Sequence, residues 1–497
     1  MGFGLMHRLP KAMTNNPVSD HVCTSYLADH WSRPGRRVVE RENPGRSAEV
    51  AARWCPASPD EARRAMEAAA AAGPVWAAVP LPDRLDRLEA LLPVIARHAG
   101  EFAGLIIREN GKPRRDAQSE IDAGLRDAAH ALGEARRLGV IERTSAPGAV
   151  VASELVLEPV GVQLLITPWN FPLATILRKL VPALAYGNTV VVKPSELTPG
   201  PARRLFELLE PLGLPAGAAS LVLGFGPELG PILTAHPALR GISCTGSTAT
   251  GRALARATAG RDVRLQLEMG GKNSLVVLAD ARLDDAVEAA ATGAFSCAGQ
   301  WCTGTGRVIV EQAVGAEFVA RLSARAGQLH VGPGDDDSTD TGPVISAARV
   351  QAAREAVAAA VAAGARVCCG GRELPGGHFF APTVLDRVVE TMPAFLDELF
   401  VPVLPVVAAR DADDAIRLAN AGTFGLSASV FSADTGRART LARRIEAGIV
   451  HVNLHTAYRE PGLPVAGWRD SGHGLPECGR YAREFFTRPR ALYARNP

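Results

Sequence analysis

Net charge, aromatic side chains, paired cysteines and long apolar runs are all scarce in these 497 residues. Lys plus Arg at 54 against Asp plus Glu at 52 leaves +2, too little for a broad electrostatic footprint toward nucleic acid or an anionic membrane. Aromatics make up 5% and no arginine run interleaves with them, so stacking platforms for single-stranded nucleic acid lack material. The eight cysteines, at 23, 55, 244, 297, 302, 368, 369 and 478, form neither a disulfide framework nor a Cys-x-x-Cys pair. Free thiols are expected, at least one of them chemically active. The longest uncharged stretches, Pro159 to Leu177 and Ala289 to Gly306, carry Gln, Gly or Pro that a bilayer centre penalises, so no membrane span is expected. The N-terminus has no apolar signal segment, and a cytoplasmic location is expected by default. The eleven histidines make no His-Glu-x-x-His spacing, so metal chemistry is not expected.

What remains is an ordinary globular composition, 47% hydrophobic and 21% charged, long enough for two large domains or three smaller ones. Residues 1 to 40 lack a period and read as a loosely held N-terminal arm. Ser58, Pro59 and Glu61 form a capping-box start for a helix, and Leu85, Leu88, Leu91, Leu92 and Ile95 mark a second. From about 150, short apolar runs alternate with helical stretches, the pattern of a parallel sheet wound with crossovers. Five strands are predicted at 163–168, 189–194, 220–225, 241–246 and 264–270. A second alternation begins at 274, with a boundary near Gly270-Gly271. This predicts an α/β chain in which 41–149 and 162–271 make a Rossmann-like cofactor-binding domain and 272–470 an α/β catalytic domain. Segments 150–161 and 485–497 are strand-compatible outsiders that pair with each other or with another chain.

Ligands bind beyond the carboxyl ends of strands in such sheets. There lie Pro168-Trp169-Asn170-Phe171-Pro172, Lys193-Pro194-Ser195-Glu196, Gly246 to Gly251, and Glu268-Met269-Gly270-Gly271-Lys272. Gly246 to Gly251 offers backbone N–H groups to a pyrophosphate, or simply packs a tight strand-to-helix turn. It is not a Walker A loop, because Arg252 stands where lysine and a hydroxyl should follow. Lys193 and Glu196 suit a ribose, where a carboxylate repels a 2′-phosphate and so favours NAD over NADP; singly, each also reads as a solvated surface charge. Cys302, within Gly299-Gln300-Trp301-Cys302-Thr303-Gly304, is a candidate nucleophile or an inert core thiol. Glu268 activates water or serves a buried ion pair, and Asn170 donates to an oxyanion or shapes a turn.

Together the segments ITPWNFP, VVKPSE, TGSTATG, LEMGGKN, GQWCTG, ELFVPV and NAGTFGLSASVF resemble the NAD(P)-dependent aldehyde dehydrogenase superfamily, in the family's order, from about Asn43 to the C-terminus. The resemblance implies Cys302 as nucleophile, Glu268 as general base, and Asn170 with the Cys302 N–H as oxyanion hole, with Lys179 nearby and Glu477 passing protons outward. It implies a cofactor site of Thr167, Pro168, Trp169, Lys193, Ser195, Glu196, Gly226, Gly246, Ser247, Gly251, Met269, Gly270, Glu398 and Phe400. It implies oxidation of a small aldehyde to the acid through a thiohemiacetal and a thioester, and an oligomerisation arm from the two outlying strands giving a dimer or tetramer. QLEMGGKN and GRYAREFFTRPRALY look most like the 2-oxoglutarate semialdehyde dehydrogenase group, which suggests an acidic semialdehyde. Arg178, Trp301, His455, Tyr458 and Arg459 are its candidate contacts. Val401 departs from the glycine expected after ELF, which predicts a stiffer backbone beside Glu398 and Phe400. The alternatives are a non-redox cysteine hydrolase or acyltransferase, and a catalytically silent scaffold.

Overall fold

The computed structural model describes residues 22–143 and 151–495. Ser58 opens the first helix, Pro59–Ala78, by the expected reciprocal capping: its hydroxyl accepts the Glu61 N–H, and the Glu61 carboxylate accepts the Ser58 N–H at 2.7 Å. The helix Leu81–Arg97 buries Leu85, Leu88, Leu91 and Ile95 at the predicted spacing. The next, Ala99–Asn110, stops at Gly111 in a left-handed conformation (φ 88°).

All five predicted strands are present, as Val162–Ile166, Thr189–Lys193, Ala219–Leu221, Leu239–Thr245 and Arg264–Glu268. They form the parallel heart of an eight-stranded sheet, in the spatial order third, second, first, fourth, fifth. Order therefore reverses between Val162–Ile166 and Leu239–Thr245, and a crevice opens at their carboxyl ends.

Both edges are closed antiparallel by segments that the sequence did not reveal as strands. Gly472–Gly474 pairs with Arg264–Glu268. On the other side Tyr26–Leu27 pairs with Ala219–Leu221 and with His30–Trp31. Residues 22–40 are thus not a loose arm: Tyr26 packs its ring 6.0 Å from Phe206, and the Cys23 N–H bonds the Arg53 carbonyl. The first 21 residues of the expected arm lie outside the described residues.

The chain leaves the first sheet at Glu268 and enters the second at Asn273, across Gly270 and Gly271. That second sheet has seven strands, parallel except at the edge strand Arg366–Cys369, with Asn273–Val277 between Thr305–Glu311 and Ser427–Phe431. The outlying strands do pair with each other. Val151–Pro159 runs antiparallel to Thr487–Arg495 in register from Thr487↔Pro159 to Arg495↔Val151, and Ile141–Arg143 adds a third strand. Val150 and residues 496–497 of those segments lie outside the described residues.

Candidate functional site

The crevice rim carries the polar groups expected of a dinucleotide site. Ser247 caps the helix Thr248–Thr258, its hydroxyl accepting the Thr250 N–H at 3.2 Å, so the positive helix end faces the crevice. Gly251 packs so closely that a Cβ there would lie 2.2 Å from Met269 Sδ. Lys193 is buried with Nζ 3.7 Å from Glu196 and 3.1 Å from the Pro194 carbonyl; burial holds its ammonium below the usual lysine range. Ser195 accepts the Leu197 N–H, and Gly226 starts the helix Gly226–Ala235. Among the described residues the buried Thr167 hydroxyl has no partner, an open donor beside Pro168 and Trp169. These groups fit a dinucleotide: a capped helix end, an orphaned hydroxyl and a ribose-sized acid and base pair.

Glu398 reaches the same rim from the second sheet. Its Oε1 accepts the Gly271 N–H at 3.0 Å, and Gly270 leaves it room, since a Cβ there would sit 2.0 Å from Oε2. Burial pushes the Glu398 carboxyl up, against the pull of the Gly271 N–H, Lys272 and Arg349. Phe400 meets Trp169 edge to face at 5.7 Å. The left-handed residue here is Phe400 (φ 55°), not Val401, which sinks into the core at 4% exposure. Val401 thus occupies ordinary backbone, and the left-handed turn beside it is made by Phe400. Beneath them Lys272 Nζ is buried without a hydrogen-bond partner among the described residues, and burial pushes its ammonium down to about 7.

Cys302 is half-buried in the loop after the helix Leu283–Phe295. Burial pushes its thiol up to about 11; Arg178 and the Thr303 N–H pull it down, while Glu398 and Glu268 push it further up. The loop begins with three left-handed residues, Cys297 (φ 52°), Ala298 (φ 54°) and Gly299 (φ 72°). For the two that carry a Cβ this costs about 1–2 kcal/mol each. Gly299 is dictated by space as well, because a Cβ would come within 2.4 Å of the Val401 carbonyl oxygen.

Asn170 joins this loop to the first sheet by donating Nδ2 to the Gln300 carbonyl at 2.9 Å. A side-chain amide has two N–H groups, so one remains for the crevice. Glu268 is buried with Oε2 unpartnered among the described residues. Burial and the neighbouring Glu477 hold its carboxyl well above the usual range, with Lys179 and the Gly467 N–H opposing. Lys179 forms a buried ion pair with Glu477 and donates to Ser243 Oγ at 3.0 Å; Thr245 donates to Glu477 at 3.0 Å. Burial pushes Glu477 up, but Lys179 and Arg178 overcome it and keep that carboxylate below the usual range.

The five expected substrate contacts are not one cluster. Arg178 and Arg459 converge, both paired with the buried Asp127, Arg178 Nε at 3.0 Å. Burial raises Asp127, but the two guanidinium groups hold it below the usual range, so it stays ionised. Trp301 packs against Phe171 at 5.3 Å. Tyr458 is exposed and donates to Glu460, and His455 Nδ1 accepts the Ala457 N–H, so both are engaged locally.

Sequence reasoning missed Asp127, Glu120, Lys112 and Asp116. Glu120 accepts the N–H groups of Leu173 and Ala174 at the start of the helix Ala174–Ala185, at 2.9 and 3.3 Å. Its other oxygen takes Lys112 Nζ at 2.6 Å, and that ammonium lies 3.6 Å from the centre of the Phe171 ring. The available signal was charge on a buried stripe: Glu120 and Asp127 share the inward face of the helix Arg114–Leu138 with Ala117, Ile121, Gly124 and Ala128.

Residues 31–492 match the model of the Aldehyde dehydrogenase family. The chain is 35% identical over 472 residues to 2,5-dioxopentanoate dehydrogenase of Saccharolobus solfataricus, covering 94% of this chain and 98% of that one. It is 37% identical over 428 residues to the NADP(+) succinate-semialdehyde dehydrogenase of Escherichia coli, covering 86% and 88%. Among solved structures, betaine aldehyde dehydrogenase of Staphylococcus aureus in complex with NAD+ superposes with a TM-score of 0.91 at 31% identity, over 95% of each chain.

Proposed function

Since the chain belongs to the aldehyde dehydrogenase family and is an NAD(P)-dependent aldehyde dehydrogenase, we propose that it oxidises a small acidic semialdehyde of the 2-oxoglutarate semialdehyde type with NAD, through Cys302. The observation that carries this is the convergence on one crevice of a half-buried thiol, an amide with a spare N–H and a buried carboxyl with a free oxygen. The roles follow from the chemistry of those groups. The Cys302 thiol gives its proton to solvent and adds as thiolate to the aldehyde carbon, and the resulting oxyanion meets the free Asn170 N–H and the Cys302 backbone N–H. Lys193, Glu196, Ser247 and Glu398 would hold NAD at the rim, where it would supply the hydride acceptor that turns the adduct into a thioester. Glu268 then takes a proton from the water that attacks the thioester; burial and the neighbouring Glu477 raise its affinity for protons. The Lys179–Glu477 pair beside Glu268 leads that proton away from the crevice.

Glu196, paired with Lys193, favours NAD, because its carboxylate repels a 2′-phosphate. The acidic substrate is supported by Arg178, Arg459 and Lys179 standing against only the carboxylates of Asp127 and Glu477, which leaves net positive charge beside the crevice. The strands Val151–Pro159 and Thr487–Arg495, with Leu492 and Tyr493 exposed, supply the surface for a dimer or tetramer.

NADH absorbance across a panel of aldehydes of equal length tests the substrate. An ω-carboxylate aldehyde is expected to exceed its neutral counterpart in kcat/KM by about tenfold or more, the range of one charge-assisted hydrogen bond. Equal values would refute the acidic reading. For the mechanism, Cys302→Ala is expected to abolish turnover while NAD still binds, and Glu268→Gln to accumulate an acyl-enzyme seen by mass spectrometry.

A further inference from the structure

The turn that delivers Cys302 is held from a distant helix. Asp116 lies in the first turn of the helix Arg114–Leu138, far from Cys302 in sequence and 15% exposed at its side chain. Its Oδ2 accepts the backbone N–H of Cys297 at 3.3 Å and the Cys297 thiol at 3.8 Å. Its Oδ1 lies 3.5 Å from Arg115 Nε. Cys297 is the first of the three left-handed residues, and neither cysteine nor the alanine after it favours that conformation. From the turn, hydrogen bonds run on to the crevice. The Cys297 carbonyl accepts both the backbone N–H of Gln300 at 3.1 Å and its side-chain amide at 3.0 Å, and the Gln300 carbonyl accepts Asn170 Nδ2 at 2.9 Å. Gln300 Oε1 accepts the Ile345 N–H at 2.8 Å, which fixes the far side.

We propose that Asp116 is a positioning residue for the thiol: by binding Cys297 twice it keeps the 297–299 turn left-handed, and so sets where Gln300, the Asn170 amide and Cys302 stand. This rests on Cys302 being the nucleophile. An unfavourable backbone conformation persists only where surrounding contacts over-determine it, and Asp116 is the side chain that grips its first residue. The chemistry is sensitive to such placement, since a shift of about 1 Å at the reacting atoms costs up to about 100-fold.

The test is Asp116→Ala, with kcat, both KM values and the rate of Cys302 alkylation by iodoacetamide followed by mass spectrometry. The expected result is a fall of at least about tenfold in kcat and a slower alkylation, with both KM values within about twofold of the parent. Asp116→Asn keeps an oxygen facing the Cys297 N–H and is expected to retain most of the rate. The second arm is Asp116→Ala with Cys297→Gly. Glycine adopts the left-handed turn without steric cost, so the double variant is expected to recover most of kcat. An unchanged kcat and alkylation rate in Asp116→Ala overturns the proposal, and so does an inactive double variant, including the case in which the single variant does not fold. Cys302→Ala separates the two readings. Turnover surviving in that variant refutes the nucleophile itself, whereas a dead Cys302→Ala beside a fully active Asp116→Ala refutes only the positioning role.

Discussion

Cys302 carries the most informative charge balance in the crevice. Burial lifts its thiol to about 11, so the free protein holds it protonated at neutral pH, and thiolate forms as pH rises toward that value. Alkylation of Cys302 in the absence of NAD is therefore expected to accelerate close to tenfold per pH unit from 7 to 10 without a plateau; a plateau below pH 9 would contradict it. Gly270 gives a second expectation. A methyl group there collides with Glu398 Oε2, so Gly270→Ala is expected to displace that carboxylate and raise the KM for NAD several-fold with little change in melting temperature. At this scale residue type and position at strand ends marked Cys302, Glu268 and Asn170 as candidates, and the structure brings Glu268, Cys302 and the Asn170-bound Gln300 loop together. The sequence was silent where meaning depends on a partner far along the chain. Arg178 and Arg459 read as anion contacts, but nothing local tells that Asp127 stands between them. The turn at Cys297 is silent for another reason: left-handed backbone is foreshadowed by glycine or asparagine, and only Gly299 fits that signal.

At the level of elements, apolar period and turn chemistry gave where the strands begin to within two residues but overran their ends, most at Ala219–Leu221, predicted to reach 225. Arg264–Glu268 ends two residues before its predicted limit because Met269 turns away, its N–H bonding Ser471 outside the ladder. The short edge strands escaped because two or three residues carry no period; Tyr26–Leu27 is a strand through its partners, Leu221 on one side and His30–Trp31 on the other. The helix Ala174–Ala185, which brings Arg178 and Lys179 inward, lacks a side-chain cap of its own, and Glu120 supplies one from another helix. Removing that carboxylate strands the buried Lys112 ammonium. Glu120→Ala is expected to cost about 3–5 kcal/mol in a denaturant titration, with part regained on adding Lys112→Met. The strand Thr487–Arg495 sets a different test. It is exposed from Arg488 onward, yet it pairs along the whole of Val151–Pro159. Sedimentation of the full chain is expected to give a dimer or tetramer, and a chain ending at Phe486 a smaller species; identical sedimentation would remove this ribbon from the interface.

Across the whole molecule, the two parallel sheets are joined where the chemistry gathers. Glu268 ends a strand of one sheet and Asn273 begins a strand of the other, its side chain donating to the Cys302 and Gly304 carbonyls at 2.8 and 2.7 Å. The Cys302 loop is thus clamped between the two halves, by Asn273 from the second sheet and by Asn170 and Asp116 from the first, so its separation from Glu268 is set by side chains of both.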